Sequence, residues 1–237
     1  MADPSVDAAL TATLDSLDGA HNYRDWIFGL AHPFLDAPVL EVGAGTGTFT
    51  GLLAAVGPVT AVEPTPSFAA ALRSTHGPDP RVTVLEGLIA DVPATPTFGS
   101  AVLTNVLEHI DDDVGALRDL HDRLLPGGSL VLWVPAFPLL HSRLDDELGH
   151  HRRYRLAPLR ELVAGAGFTV VDARYVNVVG WFAWLITARI LGRVPTAPAA
   201  VSVYDRYVVP TLRRFETAVR VPFGQSVFLA ARKPLAV

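Results

Sequence analysis

Three glycines alternate in the stretch "VLEVGAGTGTFT", Val39 to Thr50, and an acid, Glu41, stands inside the apolar run that precedes them. Gly43, Gly45 and Gly47 follow a strand-like run and open a helical one, so the loop can bring bare backbone N–H groups and a helix N-terminus against a ligand. The dinucleotide pattern G-x-G-x-x-G wants a small residue where this chain has Thr48, and a pyrophosphate has no use for a carboxylate two residues before the first glycine. Glu41 suits a positively charged amino group instead. A second acid, Glu63, ends the next strand-like run 20 residues after Gly43, where a carboxylate can accept both hydroxyls of a ribose. An ammonium and an adenosine without phosphate describe S-adenosylmethionine.

With that ligand the chemistry would be an in-line displacement at a methyl carbon already activated by a sulfonium, in which alignment carries much of the catalysis. A base is needed only where the acceptor must lose a proton. Groups able to take one are His109 and the cluster His141, Asp145, His150, His151 and Tyr154, with His109, His150 and Tyr154 the catalytic candidates. For His109 the competing role is a loop histidine hydrogen-bonded to structure. The string "HHRRYR", His150 to Arg155, has three readings: Arg152 and Arg153 clamp an anionic acceptor, the string supplies a base, or it is a solvated turn. Adjacent histidines near aspartates also invite a metal, yet neighbouring positions rarely point to one ion, and no metal is assigned. Asp111 to Asp113 read as helix-capping acids, with Arg118 and Arg123 on the solvent side of that helix.

The elements that must position these groups alternate. Strand candidates are Val39 to Val42, Val59 to Glu63, Val82 to Glu86, Ser100 to Thr104, Ser129 to Val134 and Thr169 to Tyr175. Helical candidates are Phe49 to Val56, Ser67 to Ser74, Val114 to Leu125 and Ala157 to Ala166. Such βαβ alternation implies a mostly parallel sheet with helices on both faces and ligands at the carboxyl ends of the strands. Ser226 to Ala231 is expected to return as an antiparallel edge strand, and Val176 to Pro222 to be helical, carrying Trp181, Phe182, Trp184 and Leu185.

"VLEVGAGTGTFT", "AVEP" at Ala61 to Pro64, "LTNVLEHIDDD" at Leu103 to Asp113 and "LLPGGSLVLWVP" at Leu124 to Pro135 resemble, in order, the motifs of class I S-adenosylmethionine-dependent methyltransferases. The resemblance runs from about Asn22 to Ala166. It implies a Rossmann-like α/β fold with a seven-stranded sheet, an antiparallel hairpin at one edge, and a methyl donor lying across strands one, two and four. Carried over, Glu41, Gly43, Gly45 and Gly47 hold the methionine portion, Glu63 and Pro64 flank the ribose, and Asn105 meets the methionine end through its backbone. In "EGLIADVP" Leu88 stands where such families often place an acid for the adenine amino group, so Leu88 and Ile89 meet adenine by main chain and apolar surface, and Asp91 is the weaker assignment. The flanks "HNYRDWIFGLAHPFL" and "PAFPLLHSRLDDELGHHRRYRLAPLRELVAGAGF" are similar to bacterial methyltransferases of the type 11 and 12 group, many of which act on small molecules or glycolipid precursors. That similarity places Tyr23 and Trp26 on a lid helix near the sulfonium; the competing role is aromatic packing in the core.

Composition bounds the partners. The chain has 237 residues, half of them hydrophobic, with a net charge of −5 and no long basic run, so the electrostatic footprint of duplex binding is missing. With no cysteine and no basic-then-apolar start, cytoplasmic residence is the expectation. Val178 to Gly192, "VVGWFAWLITARILG", is broken by Arg189 and is shorter than the ~20 residues of a bilayer span, though 178–191 could contact a membrane surface or a second copy. The expected organisation is one unit: 1–37 as N-terminal lid helices, 38–175 as cofactor-binding core, 176–237 as acceptor-side helices and last strand. The expected function is methylation, oxygen first, of a small acceptor with an apolar or lipid-like body. The alternatives are a fold-sharing cyclase that binds the cofactor without consuming it, a non-catalytic partner of another enzyme, and a nicotinamide dehydrogenase, which Glu41 and Thr48 oppose.

Overall fold

The computed structural model describes residues 19–190 and 198–235; the rest of the expected lid, 1–18, and Leu191 lie outside the described residues. Seven strands form one sheet in the order β3-β2-β1-β4-β5-β7-β6. They are β1 (Val39–Val42), β2 (Val59–Glu63), β3 (Val82–Glu86), β4 (Phe98–Thr104), β5 (Leu124–Pro135), β6 (Thr169–Val176) and β7 (Ser226–Arg232). The first five pair in parallel, and β7 pairs antiparallel with both β5 and β6. The antiparallel edge is therefore present, with β7 inserted inside β6, which is outermost.

Alternation along the strands sends side chains to two cores. Leu40 and Val42 of β1 and Leu130, Leu132 and Val134 of β5 join one cluster, with Leu117 and Leu120 of the helix Asp113–Arg123 and Leu159 and Val163 of the helix Leu156–Gly165. Val39, Val131 and Trp133 face the other, with Trp26 and Ile27 of the helix His21–Ala31 and Val209 and Leu212 of the helix Val209–Ala218. Burial on both faces is why the parallel strands read as nearly continuous apolar runs.

Two departures from the expected elements have local causes. β5 begins at Leu124 rather than Ser129, because Leu124 already pairs with Phe98 before Pro126-Gly127-Gly128 shifts the register and pairing resumes at Ser129 with Ser100. Arg123, expected in solvent, is buried, its guanidinium donating to the carbonyls of Val92 (2.9 Å) and Asp119 (2.7 Å). The region after β6 is helical as expected: Val178–Trp184, a π-helical turn at Leu185–Ile190, Pro198–Val203, a second π-helical turn at Tyr204–Val208, and Val209–Ala218. Among the described residues no helix is long and apolar enough to cross a membrane.

The strand order reverses between β1 and β4, so their following loops diverge and leave a crevice at the carboxyl ends. Gly43 follows β1 there, with φ +67°, and a Cβ on it would lie 2.4 Å from Val106 Cγ2 in the loop after β4. Gly43→Ala is expected to destabilise the fold by about 1–3 kcal/mol through strain and overpacking. In thermal unfolding Val106→Ala should recover part of that loss in the double variant but stabilise nothing alone; an unchanged midpoint for Gly43→Ala would refute the close approach.

Candidate cofactor and acceptor site

A cavity of about 1120 Å³ occupies the crevice. Its wall contains Glu41 in β1 with Gly43 and Gly45 after it, Glu63 at the end of β2 with Pro64 after it, Leu88 and Ile89 after β3, and Asn105 and His109 after β4. Gly43, Gly45 and Gly47 all have positive φ (67°, 57° and 101°), and the first keeps its turn by donating its N–H, with that of Ala44, to the Val62 carbonyl. The helix that follows is short, Thr50–Ala54, and the N–H groups of Gly43, Ala44, Gly45 and Gly47 are spent within the fold, on Val62, Glu63 and Ala44; Gly47, expected at the cofactor, lies off the cavity wall against His76 and Leu72.

Two acids sit beside this loop in different states of satisfaction. Glu63 is buried and accepts from the backbone N–H of Gly45 and of Thr65, both at 2.8 Å, one on each oxygen. A carboxylate has about four acceptor positions, so both oxygens retain capacity for hydroxyls. Glu41 is equally buried and accepts from Thr50 Oγ1 at 2.6 Å. Burial pushes its carboxyl up to about 8, Thr50 opposes the rise, and the nearby Glu63 adds to it. Glu41 is therefore largely protonated near pH 7.

Leu88 is 61% exposed and Ile89 is buried, both on the cavity wall. Asp91 is absent from that wall; its carboxylate accepts from the Leu88 N–H at 2.8 Å and shapes the turn. Asn105 has φ +52° and donates its N–H to the Trp133 carbonyl (2.7 Å), so the main-chain group it can offer a ligand is its carbonyl. Tyr23 lines the cavity, with its ring edge-on to Trp26 and Trp133. Trp26 is 2% exposed within the core, so of the two lid aromatics only Tyr23 reaches the site. The lid helix is anchored by Asp205, which accepts from the backbone N–H groups of Asn22 and Tyr23 and from the Asn22 side chain. Nothing local in the sequence marks Asp205, 182 residues from Tyr23, as its partner.

At the other end of the cavity "HHRRYR" divides. His150 and Arg153 face the cavity, His151 and Arg152 turn to Asp111 and Asp113, and Tyr154 is buried behind. His150 Nδ1 donates to Asp145 Oδ1 at 2.8 Å. Asp145 is wholly buried and accepts also from Arg153 Nε and Nη2 (2.7 and 3.0 Å) and from the Ser142 N–H and hydroxyl. Burial works to raise its carboxyl, but the bonds from His150 and Arg153 outweigh it and hold Asp145 well below the usual range. The Arg153 fork is thus spent on Asp145, with its plane 5.0 Å from the Trp184 ring centre, and Arg152 is engaged with Asp113 at 2.8 Å, so neither is a free anion clamp. Tyr154, expected to be catalytic, is off the cavity wall; its hydroxyl donates to Asp113 Oδ2 (3.0 Å) and the Leu107 carbonyl (3.2 Å), ties that are structural. His141 faces Asp146 at 3.8 Å and is also off the wall.

His109 lines the cavity with its ring 4.6 Å from that of His150 and perpendicular to it. Burial, then His150 and His151, lower it to about 4, so it is neutral near pH 7. Asp112 caps the following helix by accepting from the Gly115 N–H at 2.8 Å, as the acidic run implied. Glu108 escaped the sequence reading. It has no exposed surface, burial pushes it up to about 8, and neither side-chain oxygen has a hydrogen-bond partner from another residue among the described residues. The available signal was an ionisable residue set between Leu107 and the cavity-facing His109, where an apolar residue would complete the core.

A family model described as a methyltransferase domain matches residues 19–173. Ubiquinone biosynthesis O-methyltransferase of Xanthomonas campestris pv. campestris is 33% identical over 102 residues, 40% of this chain and 42% of that protein. tRNA U34 carboxymethyltransferase of Ruthia magnifica is 35% identical over 105 residues, 42% of this chain and 33% of that protein. The chain thus spans less than half the length of these curated relatives. Among solved structures, a chain of the Haloferax volcanii complex between the Trm112 methyltransferase activator and a methyltransferase superposes with a TM-score of 0.65 at 16% identity, over 99% of each chain, a likeness of fold. The family match spans β1 to β5 and the loops that follow β1 to β4, and the chain belongs to the S-adenosylmethionine-dependent methyltransferase domain family.

Proposed function

We propose that this chain transfers the methyl group of S-adenosyl-L-methionine to a small acceptor with an apolar body, preferentially at oxygen. The observation that carries this reading is that one cavity runs from the acids Glu41 and Glu63 to the imidazoles His109 and His150, so donor and acceptor ends share a single space. Bound there, the cofactor supplies a methyl carbon activated by a positive sulfonium. Glu41 would take the amino group, Glu63 the ribose hydroxyls, Pro64, Leu88 and Ile89 the sugar and adenine, and the loops at Gly43 to Gly45 and Asn105 the methionine backbone by main-chain groups. Tyr23 would present an aromatic face to the cation. On the acceptor side Ala183, Trp184, Val201 and Tyr204 give an apolar wall, and His109, neutral by burial, and His150, oriented by Asp145, meet the acceptor's hydroxyl.

The name of one relative includes tRNA, so composition alone does not assign the acceptor class; the apolar wall and the net charge of −5 support a small molecule over nucleic acid. The chain is read as a single methyltransferase unit, 1–37 contributing the lid, 38–175 the core and 176–237 the acceptor side, resident in the cytoplasm. Exposed Phe182 and Ile186 support a contact of 178–191 with a membrane surface or a second copy.

Calorimetric titration tests the cofactor half. Micromolar binding of S-adenosylmethionine and S-adenosylhomocysteine is expected, with silence toward NAD. Glu63→Ala should weaken both by about a hundredfold, as two hydrogen bonds to a charged acceptor are lost, and Glu63→Gln by less. Binding of NAD, or none of either adenosyl ligand, overturns the reading. Formation of S-adenosylhomocysteine one-for-one with a methylated acceptor separates methyl transfer from a cyclase that consumes none.

Glu41 predicts a pH effect. Its carboxyl, raised from 4.5 to about 8, is protonated in the free site near pH 7, while the ligand's amino group keeps its proton below about 7.7. Affinity should therefore rise between pH 6 and 7.5 by up to about tenfold per unit, with a proton released on binding, and Glu41→Gln should flatten the profile. A raised folded-state value also means that Glu41 stabilises the free protein fully below pH 4.5 and that this contribution is lost as pH climbs through 8. Buffer-dependent binding enthalpies measure the proton; a flat wild-type profile would refute the role.

A further inference from the structure

We propose that Glu108, His109 and His150 form a divalent-cation site at the acceptor end of the cavity. One ligand atom from each lies within 4.8 Å of the others, a spacing that small side-chain rotations close onto metal–ligand distances of about 2.0–2.2 Å. The set combines two imidazoles and one carboxylate, suited to Zn²⁺, Mn²⁺, Fe²⁺ or Co²⁺.

Three observations beyond proximity support it. The first is the orphaned acid: Glu108 has no exposed surface and neither oxygen is partnered by another residue among the described residues. Buried carboxylates are normally paired or bound to a cation, because leaving their acceptors unmet costs the full desolvation of the group. The second is an outer support already built. His150 gives Nδ1 to Asp145, which leaves Nε2 for an ion, and Asp145 is held in turn by Arg153 and Ser142. A carboxylate behind the imidazole fixes the ligating nitrogen and the ring's orientation. The third is that the two segments are pinned together, since the His151 N–H donates to the Glu108 carbonyl at 2.8 Å.

His109 and His150 both face the cavity, so an ion held by them would keep positions open toward the acceptor. There a cation lowers the pKa of a bound hydroxyl and favours the oxygen anion that attacks the methyl carbon. This use of the ion rests on the methyl-transfer reading; its binding does not. The pairing of His150 with His151 that adjacency suggests is excluded, since His151 turns toward Asp111.

The test uses the full chain stripped of metal by chelation and titrated with Co²⁺, read by visible absorption, and with Zn²⁺, read by calorimetry. One equivalent per chain is expected, with absorption bands of nitrogen–oxygen coordination and an unfolding midpoint that rises with Co²⁺. Glu108→Gln and His109→Gln should each weaken binding at least about tenfold, while His141→Gln, off the cavity, should bind as wild type. No binding by wild type up to millimolar metal overturns the site, as does one-equivalent binding that Glu108→Gln and His109→Gln leave unchanged. Should either variant unfold, the wild-type stoichiometry and spectrum decide. Titration with S-adenosylhomocysteine in the same samples keeps the two readings apart: Glu108→Gln should retain that ligand, so loss of metal with retained cofactor bears on the ion site alone.

Discussion

Burying carboxylates at the carboxyl edge of the sheet is the constraint on which the site depends. Glu41, Glu63, Glu108 and Asp145 are all buried there, and each has lost most of its solvent contact and needs a partner. They form a graded series. Asp145 is satisfied within the protein, by an arginine fork, a serine and a histidine. Glu63 has one backbone donor on each oxygen and capacity to spare. Glu41 has a single hydroxyl, and Glu108 has no partner from another residue among the described residues. The less an acid is satisfied by the fold, the more of its interaction free energy remains for a ligand.

The acceptor side depends on the same economy of polar groups over long sequence separations. Asn177, at φ +68°, ends β6 and donates its side-chain amide to Gln225, while its backbone N–H and that of Val178 go to Glu216. Tyr204 donates to the Asn177 side-chain oxygen, and the adjacent Asp205 caps the lid helix. The helical region after β6 is therefore fastened to the lid and to β7 by hydrogen bonds as well as by apolar contact. That fastening places Trp184 over Arg153 and closes the cavity opposite the glycine loop.

Local pattern was sufficient for β1, β2 and β3, whose bounds match the β-branched runs residue for residue, and for the acid cap at Asp112. It was insufficient where partners are distant. Arg123 lies on a helix face that looks solvent-exposed in one dimension, and the carbonyl of Val92 in a neighbouring loop, remote in sequence, helps hold it inside. Trp26 and Tyr23 sit three positions apart on one helix, yet one is buried in the core and the other, packed against that core, also lines the cavity. In "HHRRYR" neither charge nor spacing tells which side chains turn inward.

By itself the sequence determined the alternation of strand and helix, the backbone turn at Gly43 to Gly47 and the placing of Glu41 and Glu63 on adjacent strands, since these depend on short-range periodicity, steric freedom and spacing. The tertiary structure alone decided which polar residues are free to meet a ligand. Tyr154 was removed from the site by Asp113, Arg153 was neutralised by Asp145, and Glu108 was set beside His109 and His150. The reason is physical: the state of a buried polar group is set by the donors and acceptors within about 3 Å of it, and in this fold most of those come from residues remote in sequence.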